Sequence, residues 1–272
     1  MKKLCASLLI LASVLFFELT LVQPVRADYD KGVAAHDSGD YETALREFKA
    51  SAEEGHVKAQ FHLGRMYYEG NVVPRDYVEA ERWYRKAAEQ GDTEIQTLLG
   101  SMYYLGVNIP RDYVKAEKWY RKAAEQGHVK AQYFLASLYN FGNGVPRDYM
   151  EAEKWYQKAA EHGHASAQFS LGLMFYEGEG VPRDYVEAEK WYRKASEQGL
   201  AGAQYNLGLM YYKGEGVPRD YVKAYMWLNL ASSGGIDLAI EELNRLEKKM
   251  TLEQIAEAQK LSREFKKKNS AP

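Results

Sequence analysis

The chain has 272 residues, of which 27% are charged, and its formal net charge is −2 at neutral pH. A hydrophobic fraction of 46% excludes wholesale disorder, and the small net charge gives no global attraction to nucleic acid. Aromatic residues make up 13% of the chain, and the 22 tyrosines among them call for an explanation.

Residues 1–27 have the composition of a secretory signal peptide. A basic start precedes an almost wholly apolar run over 4–21, and Val-Arg-Ala at 25–27 matches a small-residue cleavage site. We therefore expect a periplasmic or secreted chain that begins at Asp28 and has no membrane span after cleavage. An uncleaved membrane anchor is the alternative, because the apolar run approaches the length of a span.

The single cysteine, Cys5, lies inside this leader. Its removal leaves the mature chain with no disulfide and no thiolate site. The stability of the folded protein must therefore come from packing.

A 36-residue repeat organises the rest of the chain. The string Pro-Arg-Asp-Tyr occurs five times, with its tyrosines at Tyr77, Tyr113, Tyr149, Tyr185 and Tyr221. Tryptophans follow at the same spacing, at Trp83, Trp119, Trp155, Trp191 and Trp227. A fixed period of this length is typical of a stacked array of supersecondary units.

Each unit is predicted to contain two helices. Asp76 is a good N-cap, Ala80 and Trp83 begin an apolar stripe at helical spacing, and Gly91 supplies a left-handed residue after the helix. A second apolar stripe, over 95–103, predicts the partner helix. No segment alternates with a period of two residues, so we expect an all-α protein without a sheet.

Small residues recur in the middle of the second helices, at Gly64, Gly100, Ala136, Gly172 and Gly208. Glycine in a helix interior costs roughly 1 kcal/mol relative to alanine, which is tolerable where another chain segment must approach closely. We therefore expect the bulky Trp-Tyr pair of a first helix to enter this notch. The aromatic stripe is then core, not a ligand-binding box.

The motif Tyr-x-x-Ala-x-x-Trp-Tyr at 185–192, followed by Ala-Gln-x-x-Leu-Gly-x-x-Tyr at 203–211, resembles the Sel1-like repeat family, a relative of tetratricopeptide repeats. The resemblance covers roughly residues 40–250. It implies a right-handed α-solenoid whose first helices line the concave side. It also implies a non-enzymatic scaffold or adaptor that binds a protein or peptide, and exported bacterial members are linked to signalling, envelope control and host contact.

The period divides the chain into a leader, an N-terminal capping helix, six repeats and a C-terminal capping helix with a tail. The boundaries are 1–27, 28–40, then 41–76, 77–112, 113–148, 149–184, 185–220 and 221–250 for the repeats, and 251–272.

The two ends of the array depart from the repeat. Glu47 stands where later copies have tryptophan, which predicts a polar end face. The last repeat predicts a longer helix to about Met250, and Thr251-x-x-Gln254 is a capping box for one more helix. Its expected inner face is Leu252, Ile255, Ala258, Leu261 and Phe265, followed by a lysine-rich tail.

No motif for catalysis, cofactor or metal binding is present, so we predict none of these sites. A β-lactamase-type hydrolase, the activity associated with cysteine-rich relatives, would need Ser-x-x-Lys and Lys-Thr-Gly, and both are absent. Paired carboxylates such as Glu79 and Glu81 are expected on exposed faces, where Glu81 can pair with Arg85. A periplasmic regulator of a membrane sensor stays open as a further alternative to a general scaffold.

The histidines give no clear metal site. His56, His128 and His164 share one repeat position, but packed repeats lie about 8–10 Å apart, too far to share one ion. We interpret His162 and His164 as solvated turn residues.

Three rows of side chains face away from the apolar stripe of the first helices and form the candidate protein-binding site. The apolar row is Val78, Val114, Met150, Val186 and Val222; the second row is Arg82, Lys118, Lys154 and Lys190; the third row is Arg85, Arg121 and Arg193, with Gln157 between them. Arg75 and its four copies give a further candidate at the loop edge.

Such a ladder of apolar anchors beside cations suits an extended partner with acidic residues. The alternative is that the valines pack within their own first turns while the charges only solvate the face. Neighbouring glutamates largely cancel the cations, so we expect no nucleic acid partner. The pattern leaves the oligomeric state open.

Overall fold

The computed structural model describes residues 28–269, which form fourteen α-helices and no strand. The helices are α1 Tyr29–Ser38, α2 Tyr41–Glu53, α3 Val57–Glu69, α4 Tyr77–Glu89, α5 Thr93–Leu105, α6 Tyr113–Glu125, α7 Val129–Phe141, α8 Tyr149–Glu161, α9 Ala165–Glu177, α10 Tyr185–Glu197, α11 Ala201–Lys213, α12 Tyr221–Ser233, α13 Leu238–Glu247 and α14 Leu252–Asn269. The all-α prediction is confirmed for this part of the chain.

The chain divides into two compact units, Met1–Ile95 and Gln96–Pro272. In the first unit α1 packs on α2, α2 on α3 and α3 on α4. In the second unit each helix from α6 to α12 packs on the next, and α14 packs on α12. Stacked helical repeats of this kind are the α-solenoid architecture that the sequence predicts.

The aspartate of each Pro-Arg-Asp-Tyr string starts a first helix. Asp76 Oδ1 accepts hydrogen bonds from the backbone N–H groups of Val78 and Glu79, each at 3.0 Å. The same cap precedes four further first helices, at Asp112, Asp148, Asp184 and Asp220. The predicted N-cap is confirmed, and it fixes the rotation of each first helix from its first turn.

A tyrosine ring fills the predicted notch in the second helices. A Cβ atom added at Gly172 would lie 2.6 Å from the ring of Tyr192, and one at Gly100 would lie 2.7 Å from the ring of Tyr120. The nearest atoms to these glycines belong to the tyrosine of the Trp-Tyr pair. The expected close approach is therefore confirmed for the tyrosines, while the tryptophans are buried in the core beside them.

Buried glutamines join the turns of successive repeats. Gln60 donates from Nε2 to the Ala52 carbonyl oxygen at 3.1 Å, and Gln90 donates to Gln60 Oε1 at 2.8 Å. The same bond between glutamines recurs from Gln126 to Gln96 and from Gln198 to Gln168. The bond from Gln60 to Ala52 satisfies a carbonyl group that a helix C-terminus leaves without an intrahelical partner.

The polar end face predicted at Glu47 is wrong. Glu47 is buried, because α1 lies over it and Lys31 Nζ of that helix approaches its carboxylate to 2.9 Å. The hydrogen bond from Lys31, supported by one from Arg46, lowers the pKa of Glu47 despite the burial. A paired carboxylate thus takes the place that tryptophan fills in later repeats.

The loops after the first two second helices carry Asn108 and Val72 where later loops carry a glycine, as at Gly144. Asn108 has φ 68°, close to the φ of 73° at Gly144, so it adopts the same left-handed conformation as the glycine of later loops. Val72 has no positive φ, as its branched side chain requires. The first loop therefore differs from the others in backbone, and the second does not.

The C-terminal helices correct two expectations. The predicted longer helix to Met250 is wrong: α13 has 10 residues and ends at Glu247. The chain then turns into the capping box, where Thr251 N–H donates to Gln254 Oε1 at 3.0 Å and Gln254 N–H donates to Thr251 Oγ1 at 3.3 Å. This reciprocal cap competes with any extension of α13.

The inner face of α14 is centred on Ala258 and Ser262, both buried, and Phe265 contacts Trp227 edge to face at 5.2 Å. Leu252 does not belong to it, since its exposure is 82%. At 100° per residue it lies about 120° around the helix from Ala258. The lysines at 266–268 lie within α14, not in a tail. The expected leader, 1–27, and the last three residues, 270–272, lie outside the described residues.

The fourth repeat predicts a stabilising substitution. His162 stands where other repeats carry the turn glutamine, and Gln132 Oε1 is buried without a hydrogen-bond partner in residues 28–269. A donor at this site removes the penalty for an unsatisfied acceptor, so His162→Gln should raise the free energy of unfolding by about 1 kcal/mol. Urea unfolding measures it, with His162→Ala as control. Equal stability of the two variants would contradict the glutamine contact.

Candidate functional site

The apolar row stands out from the first helices. Val114, Met150 and Val186, in the unit Gln96–Pro272, have exposures of 64%, 75% and 63%. Each is the second residue of its helix, directly after the capped turn, and Val78 of the other unit is equally exposed. The alternative that these side chains pack within their own first turns is therefore wrong for these four. Val222 departs from the row, because it is partly buried and packs against the core of its unit.

The second row is mostly neutralised along its own helices. Lys154 Nζ lies 2.9 Å from Glu151, Lys190 Nζ lies 3.1 Å from Glu187, and Arg82 of the other unit pairs with Glu79 at 3.3 Å. Exposed pairs of this type contribute roughly 0–1 kcal/mol, so a partner's carboxylate can replace them at little cost.

Helix α6 departs from this pattern. Lys115 stands where α4, α8 and α10 carry glutamate before the basic residue, as Lys223 does on α12, so Lys118 has no glutamate one turn before it. Lys115 instead pairs with the capping residue Asp112 at 3.2 Å. The positive charge of the surface is therefore concentrated on α6.

The third row joins helices instead of presenting free charge. Arg121 donates to Glu117 and to the hydroxyl of Tyr139, and Arg193 makes the same bonds to Glu189 and Tyr211. Each arginine thus links the two helices of its repeat.

Arg85 and Glu81 pair at 3.6 Å as predicted. Glu81 itself is mostly covered, which corrects its expected place on an exposed face. Reaction chemistry at the paired carboxylates Glu79 and Glu81 has no further support in the described residues.

Lysines cover the tryptophans, a role that the sequence reasoning missed. Lys158 Nζ lies 4.1 Å from the ring centroid of Trp155, and Lys154 Nζ lies 5.7 Å from it. Trp191 has the same two neighbours in Lys194 and Lys190. The signal was the recurrent Trp-x-x-Lys, which places a cation over the ring after one turn.

The loop-edge arginines close helix ends. Arg75 donates from Nε and a terminal nitrogen to the Glu69 carbonyl oxygen, at 3.3 and 2.9 Å. Arg111, Arg183 and Arg219 make the same bond in their own loops. Their recurrence therefore follows from helix termination, independently of any partner.

Three histidines cap second helices. His164 Nδ1 accepts the Ala167 N–H at 3.2 Å and its ring stacks on Tyr133 at 4.7 Å, so its interpretation as a solvated turn residue is wrong. His56 and His128 cap in the same way. Burial, aided by Lys130, lowers the pKa of His164, which keeps the ring neutral and able to accept.

Two searches for other functional features gave negative findings over residues 28–269. No group of three or more His, Cys, Asp or Glu side chains there could hold a metal ion. None of the described helices combines the length and the apolar character that crossing a membrane requires.

Comparison with known proteins identifies the repeat. A family model described as the Sel1 repeat matches residues 57–92, 94–128, 129–164, 165–200 and 201–236. A Sel1 repeat protein from Oxalobacter formigenes is 33% identical, with a TM-score of 0.74 over 89% of this chain and 99% of that chain. No curated protein matches.

A protective antigen of uropathogenic Escherichia coli with an SLR fold is 34% identical, with a TM-score of 0.56 over 89% of this chain. The match covers 61% of that antigen, so this chain spans less than two thirds of its length.

The histidine cap predicts a pH dependence. Because the pKa of His164 is lower in the folded state than the usual value near 6.5, the unfolded chain binds more protons below about pH 6.5. Stability is fully present above that pH and falls as the pH drops through it. His164→Asn keeps a capping acceptor without the titration. Urea unfolding should therefore show a smaller loss between about pH 7.5 and 5 for the variant. The same loss in both proteins would contradict this role.

Proposed function

Because the chain belongs to the Sel1 repeat family, we propose that it binds a protein or peptide partner through the first helices of its repeats. Sel1 repeat proteins are generally non-enzymatic scaffolds for protein interaction. In residues 28–269 no observation favours the hydrolase alternative.

The exposed apolar row carries this proposal. Three side chains at one register, Val114, Met150 and Val186, stand in water beside cations on α6, α8 and α10. Complete burial of such a side chain stabilises a complex by roughly 1.5–3 kcal/mol. Two apolar neighbours one repeat apart are about 8–10 Å from each other, and an extended peptide covers this distance in about three residues. The partner is then an extended segment with an apolar residue at every third position.

The charge distribution indicates where the partner carries negative charge. Lys115 and Lys118 give α6 its positive charge, while Glu151 and Glu187 pair with the lysines of α8 and α10. Acidic residues of the partner then lie over α6, and the rest of the contact is apolar. A polyanion such as nucleic acid would meet paired carboxylates on two of the three helices.

The proposal also includes export and the side of the array that binds. The composition of residues 1–27 supports a cleaved leader and a periplasmic or secreted location. The family resemblance supports placing the first helices on the concave side.

Cross-linking in intact cells, followed by mass spectrometry, tests the surface. The triple variant V114S/M150S/V186S should lose most of the partner captured by the wild type, and Lys118→Glu should weaken the capture of an acidic partner. The interaction should also weaken as salt rises. The N-terminus of the captured chain should be Asp28, and an intact Met1 would contradict cleavage of the leader.

Two control variants make the same kinds of substitution at exposed positions outside the first helices. Leu252→Ser removes an equally exposed apolar side chain on α14, and Lys130→Glu reverses an exposed charge on α7. Neither control should change capture. Undiminished capture by the triple variant, with unchanged melting, would remove the first helices from the mechanism.

A further inference from the structure

A small aromatic pocket lies between the second helices α5 and α7 and the Tyr120 ring of α6, and no residue of the exposed row lines it. Its volume is about 150 Å³, and its lining consists of Tyr104, Tyr120, Tyr133, Phe134, Ser137 and Phe141. Two of the wall hydroxyls are occupied, since Tyr120 donates to Ser101 Oγ at 3.0 Å and Ser137 donates to the Tyr133 carbonyl oxygen at 3.0 Å. The pocket therefore offers apolar surface to whatever enters it.

Two later repeats cover the corresponding tyrosine with a lysine. Lys213 Nζ lies 3.1 Å from the hydroxyl of Tyr176, and Lys249 Nζ lies 2.7 Å from the hydroxyl of Tyr212. In both cases the lysine follows its tyrosine by 37 residues and lies over the ring. In these two repeats a lysine side chain therefore covers the position that corresponds to Tyr104.

The site at Tyr104 lacks this cover. The residue 37 positions after Tyr104 is Phe141, which is 60% exposed. Leu105 and Val107, which follow Tyr104 in the chain, are also exposed, whereas later repeats carry mainly charged side chains at these positions. An exposed apolar rim around an open pocket is typical of an interaction site.

A cation without a carboxylate partner lies at the rim. The rings of Tyr104 and Tyr113 are 5.4 Å apart, and the Arg111 guanidinium carbon lies 5.6 Å from the Tyr113 ring centroid. Arg111 donates to the Tyr113 hydroxyl at 3.2 Å and to the Leu105 carbonyl oxygen. In residues 28–269 no carboxylate pairs with Arg111, so the rim can accept one from outside.

We propose that this pocket binds one phenylalanine- or leucine-sized side chain of a peptide partner, with a neighbouring aspartate or glutamate at Arg111. A cavity of about 150 Å³ accommodates benzene, whereas small-molecule sites measure about 300–1,000 Å³. The pocket thus fits a single side chain of a larger ligand. It is separate from the exposed row on the first helices and does not depend on binding there.

The test uses the purified protein with acetyl-Asp-Phe-amide as the probe and acetyl-Asp-Ala-amide as the matched peptide. Saturation-transfer NMR should detect the phenylalanine ring in contact with the protein, with no comparable signal for the alanine peptide. Phe141→Lys supplies the cover of the later repeats and should weaken binding at least about tenfold. Leu238→Lys, which replaces another side chain of 60% exposure, should leave it unchanged.

The charge requirement has its own pair of variants. Arg111→Gln should reduce the preference for acetyl-Asp-Phe-amide over acetyl-Lys-Phe-amide. Arg183→Gln removes the equivalent bond to the Glu177 carbonyl oxygen and should not change this preference. This separates recognition of the carboxylate from closure of a helix end.

Three results would overturn the proposal. One is the absence of saturation transfer at about 10 mM probe, a concentration well above a millimolar dissociation constant. Another is equal binding by Phe141→Lys. The third is a wild-type dimer in sedimentation that Phe141→Lys dissociates, because a second copy would then cover the pocket. The triple variant of the exposed row should bind the probe like the wild type, so the two surfaces can fail independently.

Discussion

The stacking of the repeats depends on one contact, a tyrosine ring against the bare backbone of the preceding helix. Gly172 leaves room that a Cβ atom would take from the Tyr192 ring, and Gly100 does the same for Tyr120. Each such glycine costs roughly 1 kcal/mol of helix propensity, which the burial of an aromatic ring offsets. Where the ring and the N-cap together fix the rotation of a first helix, as in α4, α6 and α10, the opposite side presents the same positions to solvent. The exposed apolar row is a consequence of this constraint.

The sequence predicts the parts of the structure that local chemistry and the period determine. Asp76 and its copies cap helices because the aspartate side chain accepts hydrogen bonds from backbone N–H groups two to three residues later in the chain. The notch follows from glycine in a helix interior. Contacts between distant segments were missed. Glu47 is buried only because α1 lies over it, and His164 is a cap that the turn composition does not reveal. The exposure of the apolar row was predictable from helix geometry, whereas the attachment of Arg121 to Tyr139 required the facing helix.

Residues that follow the repeat are mostly explained by structure. The loop arginines close helix ends, the lysines after tryptophan cover the rings, and the turn glutamines bond to one another. Departures from the repeat at equivalent positions change the surface instead. On α6 Lys115 stands where α4, α8 and α10 carry glutamate, and on α7 Phe141 stands where two later repeats carry the lysines that cover Tyr176 and Tyr212. The first departure adds positive charge, and the second leaves an apolar pocket open.

A double-mutant cycle between Gly172 and Tyr192 tests the stacking contact most directly. In the wild-type background Gly172→Ala should destabilise the protein by about 1–3 kcal/mol, because the added Cβ meets the ring. In the Tyr192→Ala background the same change should cost nothing or stabilise, as Gly202→Ala should, since a Cβ there meets nothing closer than 3.5 Å. Effects that add within about 0.5 kcal/mol would contradict the account.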